Sequence, residues 1–89
     1  MKIFFDENMP YAQEFFNDFC AEGDLVPFSG RTVNAQQLKE ADVLLVRSIT
    51  QVNEALLQDN TKLSFVGTAT IGMDHIDQTY LAKRNIAFH

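Results

Sequence analysis

Short apolar runs alternate with amphipathic stretches along the whole chain. Lys2 to Phe5 reads as a first strand, and Asp6-Glu7-Asn8-Met9-Pro10 as the turn that leaves it. Pro10 suits the first turn of a helix, where its missing N–H has no bond to lose. Ala12, Phe15, Phe16 and Phe19 then fall at i, i+3, i+4 and i+7, one apolar stripe that Gly23 closes. Leu25 to Phe28 predicts a second strand, followed by a Ser29-Gly30 turn. Asn34 is placed to cap a short helix running to Glu40, with Ala35, Leu38 and Ala41 inward. Val43-Leu44-Leu45-Val46, apolar throughout between Asp42 and Arg47, predicts a central strand buried on both faces. Val52 to Gln58 gives a third helix with Val52, Ala55 and Leu56 inward, and Leu63 to Gly67 a fourth strand. Asp77 caps a last helix that packs through Tyr80 and Leu81, Asn85 ends it in a left-handed turn, and Ile86-Ala87-Phe88 begins a fifth strand.

Strands alternating with helices imply a parallel sheet with right-handed crossovers. Five such units match a flavodoxin-like (Rossmann-like) open α/β sheet of order 2-1-3-4-5, with helices on both faces. No helix follows the fifth strand to share a face with the Phe15/Phe16/Phe19 helix, so the fold is expected to be incomplete at its C-terminal end. That face would carry an exposed apolar patch, and the isolated piece is expected to self-associate or bind a hydrophobic dye.

Composition narrows the picture. The 89 residues suffice for one small domain, and 46% hydrophobic with 21% charged residues is ordinary for a globular chain. No apolar run reaches the length of a membrane span, and Asp6 interrupts the N-terminal run too early for a secretory leader. The expected address is cytoplasmic. A net charge of −5 with scattered Lys and Arg gives no basic footprint for nucleic acid. A lone cysteine, Cys20, allows no internal disulfide and reads as a small buried hydrophobe.

In such a sheet, ligands bind beyond the carboxyl ends of the strands, where strand order reverses. Three polar loops face that crevice: Asp6-Glu7-Asn8, Arg47-Ser48, and Thr68 to Gly72. A guanidinium at Arg47 can pair bidentately with a carboxylate or phosphate, and Ser48 can add a directed hydrogen bond. Equally, Arg47 pairs with Asp6 or Glu7 and Ser48 caps a turn. Small residues in Gly67-Thr68-Ala69-Thr70-Ile71-Gly72 let backbone N–H groups approach an anion, with the Thr70 hydroxyl beside them. Asp6-Glu7-Asn8 reads as capping the next helix rather than as a metal cluster, and His75 as a structural hydrogen-bonding residue, its partner expected to be backbone. No Gly-x-Gly-x-x-Gly occurs in the chain.

The stretch Gly67-Thr68-Ala69-Thr70-Ile71-Gly72-Met73-Asp74-His75-Ile76-Asp77 resembles the motif that follows the fourth strand in D-2-hydroxyacid dehydrogenases. The segments Asp6 to Ala12, Val46 to Glu54 and Phe65 to Thr70 resemble the branch of that family acting on 4-phosphoerythronate, and the likeness covers essentially the whole chain. It implies that residues 1–89 are the N-terminal part of the substrate (catalytic) domain of an NAD-dependent oxidoreductase. That enzyme would oxidise 4-phosphoerythronate at its 2-hydroxyl, on the route to pyridoxal phosphate, and would be a homodimer when whole. The family's substrate contacts fall on Ser48 and Thr70, with Arg47 beside them. Its catalytic Arg, Glu and His and its NAD-binding domain lie further along than His89, so no catalytic, cofactor or metal residue is expected here and the piece alone is expected to be inactive. Two other readings share the pattern. A receiver-like regulatory module needs an Asp where Arg47 stands, and a free-standing small-anion-binding module shares every residue of the favoured site.

Overall fold

The computed structural model describes residues 2–9, 25–68 and 74–88. The predicted first helix with its Phe stripe, Cys20, Thr70 and Gly72, and His89 lie outside these. Five strands, β1 (Ile3–Asp6), β2 (Leu25–Phe28), β3 (Val43–Val46), β4 (Phe65–Thr68) and β5 (Ala87–Phe88), make one sheet in the order β2-β1-β3-β4-β5. Every pairing is parallel, as the alternation of elements requires. Register sets Asp6 opposite Phe28, Phe5 opposite Leu45, and Val46 opposite Thr68. Phe28, Asp6, Val46 and Thr68 therefore end their strands abreast, and the loops leaving them share one rim.

The two faces of the sheet differ. Phe4, Phe28, Leu44, Val46 and Val66 point to one side, where Leu38, Ala41, Val52, Leu57, Leu63, Ile76, Leu81 and Ile86 close over them. On the other side, among the described residues, a cluster joins Phe5 and Met9, with Leu25 and Leu45 only partly covered. The third strand departs here from expectation. Leu44 and Val46 are 0% exposed, but Val43 and Leu45 are half-buried. Successive side chains in a strand face opposite ways, so an unbroken apolar run gives equal burial only when both faces are equally covered.

The predicted helices are shorter than their patterns. Helix α1 (Glu54–Leu57) is a single turn capped by Asn53, whose Oδ1 accepts from the Leu56 N–H at 3.0 Å. Val52 lies outside it, because its backbone bridges in parallel to Ile76. Helix α2 (Gln78–Lys83) is capped by Asp77, accepting from the Tyr80 N–H at 3.0 Å, and Asn85 takes the expected left-handed conformation, φ 57°. Residues 35–40 form turns, not a helix. Asn34 and Gln37 do bond reciprocally, each side-chain oxygen accepting from the other's N–H at 3.0 Å, as at a helix start. No helical ladder follows them: the Lys39 and Ala41 N–H groups reach back three residues, to the Gln36 and Leu38 carbonyls at 3.4 and 3.1 Å, and the Asp42 N–H already donates to the Lys2 carbonyl at 2.9 Å.

Candidate functional site at the carboxyl rim

Asp6 ends the central strand β1 and is 0% exposed. Its Oδ1 accepts from the Asn8 N–H at 2.8 Å, which folds the chain back immediately after the strand. The same oxygen lies 3.1 Å from Nε of Arg47, the first residue past β3. The Nε–H does not point along that line, so the pair is held by charge rather than by an aligned hydrogen bond. The Arg47 side chain is 31% exposed, so the guanidinium reaches the surface from a buried anchor. Of the two readings left open for Arg47, pairing with Asp6 is realised, and its exposed part still faces the rim.

Gly30 explains how the loop after β2 comes down over this pair. A Cβ there would run into the Asp6 Oδ2 and stand 2.9 Å from Ile49 Cδ1 and 3.0 Å from Thr50 Oγ1. Thr50, itself buried, donates its hydroxyl to the Gly30 carbonyl at 3.1 Å and so ties the loops after β2 and β3 together. Ser48 is exposed in the turn closed by the Thr50 N–H donating to the Arg47 carbonyl at 3.2 Å. It follows β3 by two residues, onto the carboxyl side of the sheet.

Thr70 is outside the described residues, but both ends of its loop are on the same rim. Thr68 Oγ1 and His75 Nε2 share a hydrogen bond of 3.0 Å across the loop's base. His75 thus bonds a side-chain hydroxyl through its ring, not backbone as expected. Its own carbonyl accepts from Val52 N–H, and the Val52 carbonyl from Asp77 N–H, both at 2.8 Å. The returning limb of the loop is thereby pinned to the segment carrying Ser48. Sequence reasoning placed Gly30 in a turn but missed its approach to Asp6, and it missed Thr50 and the Val52–Ile76 bridge, whose roles depend on packing between distant loops. Beside these residues opens a cleft of about 560 Å³, with Gly30, Arg31 and Asn34 on one wall and Thr50, Gln51 and Asn53 on the other. Among the described residues no cluster of His, Cys, Asp and Glu is arranged to hold a metal ion, and no helix is long and apolar enough to cross a membrane.

The family model for the D-isomer specific 2-hydroxyacid dehydrogenase catalytic domain matches residues 2–89. The chain belongs to that family. Among relatives of the dehydrogenase family, the erythronate-4-phosphate dehydrogenase of Colwellia psychrerythraea is 65% identical over 97 residues, covering 99% of this chain and 25% of the relative. That of Shewanella baltica is 61% identical over 88 residues, covering 99% of this chain and 23% of the relative. The chain thus spans about a quarter of the length of the curated relatives it matches. Solved members of the dehydrogenase family superpose on it. The D-lactate dehydrogenase of Aquifex aeolicus, solved with NAD and lactic acid, gives a TM-score of 0.77 at 27% identity, over 98% of this chain and 27% of that one. The NAD-bound 3-phosphoglycerate dehydrogenase of Entamoeba histolytica gives 0.80 at 23% identity, over 99% and 32%, a likeness of fold.

Proposed function

We propose that this chain is the N-terminal part of the substrate domain of an NAD-dependent dehydrogenase oxidising 4-phosphoerythronate at its 2-hydroxyl, and that Ser48, Thr70 and Arg47 hold the substrate. The observation that carries the reading is the exposure of Arg47 and Ser48 side by side at the switch point of the sheet, next to the exit of β4. The 61–65% identity to enzymes named for erythronate 4-phosphate supports the choice of substrate. NAD, when bound, accepts the hydride. This chain contains no Gly-x-Gly-x-x-Gly, so its residues are given no part in holding the dinucleotide.

The part of this segment is binding and orientation. The exposed Ser48 and the hydroxyl of Thr70 direct hydrogen bonds to a polyhydroxy acid, and the Arg47 guanidinium supplies donors in a fixed fork for an anionic oxygen. Anchoring Arg47 through Asp6 limits the rotamers it must give up on binding, which favours a near-attack position of the substrate carbon.

The test uses a whole enzyme in which this segment replaces the matching quarter of the Shewanella baltica relative. Ser48→Ala and Thr70→Ala are each expected to raise KM for 4-phosphoerythronate roughly fivefold to tenfold, the loss of one neutral hydrogen bond. Unchanged saturation curves in both variants remove these residues from the site.

A further inference from the structure

The seven Lys and Arg are distributed unevenly between the two rims. Lys2, Lys39, Lys62, Lys83 and Arg84 stand just before strands, and in an all-parallel sheet that places them towards the amino rim. Only Arg31, three residues past β2, and Arg47, one residue past β3, follow strands onto the carboxyl rim. Arg47 faces the Asp6 carboxylate at 3.1 Å, so the two are together formally neutral. Arg31 is exposed, makes no ion pair among the described residues, and lines the cleft of about 560 Å³ that runs between the loops after β2 and β3.

We propose that Arg31 and this cleft receive the phosphate of the substrate and set the preference for a phosphorylated acid; the inference rests on the reading given under Proposed function. A phosphoryl dianion needs cationic donors beyond a guanidinium already shared with a carboxylate, and Arg31 is the other cation on the rim. The cleft's opposite wall begins at Ile49, the residue after Ser48, so the cleft that Arg31 lines adjoins the turn carrying Ser48. Neighbouring polar walls from Asn34, Gln51 and Asn53 supply further donors for phosphate oxygens. Gly30 makes the arrangement possible, since only a residue without Cβ lets the Arg31 loop lie over Asp6.

The experiment compares Arg31→Gln with its parent in the whole enzyme described above, reading KM and kcat for 4-phosphoerythronate and competitive inhibition by inorganic phosphate and by unphosphorylated erythronate. KM is expected to rise roughly tenfold to thirtyfold with kcat little changed, the loss of one charge-assisted contact at an exposed site. Inhibition by inorganic phosphate weakens in step, inhibition by erythronate stays as in the parent, and Arg31→Lys recovers part of the loss. An unchanged KM, or equal weakening of both inhibitors, overturns the assignment of Arg31 to the phosphate while leaving Ser48 and Thr70 in place. A parent enzyme that oxidises other 2-hydroxy acids but not 4-phosphoerythronate overturns the functional reading, and the phosphate assignment with it.

Discussion

At the amino rim of the sheet Asn60 is 2% exposed and every hydrogen-bonding position of its carboxamide is used. Nδ2 donates to the Leu38 and Ala41 carbonyls at 2.7 and 2.9 Å, and Oδ1 accepts from the Lys62 and Leu63 N–H groups at 2.8 and 2.7 Å. The Arg84 guanidinium adds bonds to the Leu57 and Asn60 carbonyls and to the Tyr80 hydroxyl, with its charge also near the Tyr80 ring. At the carboxyl rim Asp6, 0% exposed, keeps its Oδ2 without a protein partner and meets Arg47 through an unaligned contact. Buried polar groups are costly unless satisfied, so a saturated network marks a region shaped for stability alone. The unsaturated one is tolerated where a charged side chain must remain available at the surface.

The largest expected effect tests the saturated side. Asn60→Ala removes four hydrogen bonds, leaving the Ala41 carbonyl and the Leu63 N–H without this partner while the Leu38 carbonyl keeps the Ala41 N–H, and is expected to lower stability by about 4 kcal/mol, near 1 kcal/mol per lost bond. In urea this appears as a lower midpoint at unchanged slope. Asn60→Asp should not rescue it, because a carboxylate oxygen would then face the Leu38 and Ala41 carbonyls that Nδ2 now serves. In the whole enzyme, KM for 4-phosphoerythronate should be untouched by either change. A loss below about 1 kcal/mol would show that the network is replaceable and would dissolve the contrast between the rims.

Asp6→Asn is the counterpart on the other rim. The variant keeps an oxygen for the Asn8 N–H and removes a buried carboxylate whose Oδ2 has no partner, so its cost is expected to be smaller, about 1–2 kcal/mol. Arg47 loses the charge that orients it, and KM in the whole enzyme should rise roughly threefold to fivefold. Stability and binding are read on the same preparation, by urea unfolding and substrate saturation. If Asp6→Asn proves the more destabilising of the two changes and leaves KM alone, the carboxyl rim is structural like the amino rim.

Much of the fold was legible because local patterns and sheet geometry agree. The strands follow from apolar runs, the caps from Asn53, Asp77 and Asn85, and the order 2-1-3-4-5 from the assumed fold. Where the reading failed, a distant partner decided. Residues 34–40 carry a helix-start pair, yet Asp42 is drawn to Lys2 at the start of β1, and no local pattern announces a bond across forty positions. Asn60 looks in sequence like any loop asparagine, and its role exists only because the segments before β3 and β4 meet. At the site, Arg47 and Ser48 were visible as polar residues leaving an apolar strand. Gly30 and Arg31 were not, since the closeness of the β2 loop to Asp6 is set by packing.

The smallest expected effect is at the exposed Glu40–Lys62 pair, where the comparison between rims should fade because both side chains are about half in water. The hydrogen bond from Lys62, and then its charge, hold the Glu40 carboxyl below its ordinary pKa, while the same bond and charge raise the Lys62 ammonium. A lowered carboxyl contributes stability above the ordinary glutamate range and loses it as pH falls through the lowered value. A raised ammonium contributes below the ordinary lysine range and loses it as pH rises through the raised value. The pair should therefore couple across neutral pH and uncouple at both extremes. A double-mutant cycle with Glu40→Gln and Lys62→Met reads this directly. Coupling should be weak at neutral pH in low salt and vanish near 1 M salt, where screening acts over about 3 Å. Coupling that survives high salt would place the pair with Asn60 and Arg84 as a working part of the amino rim, and not as two solvated charges resting on it.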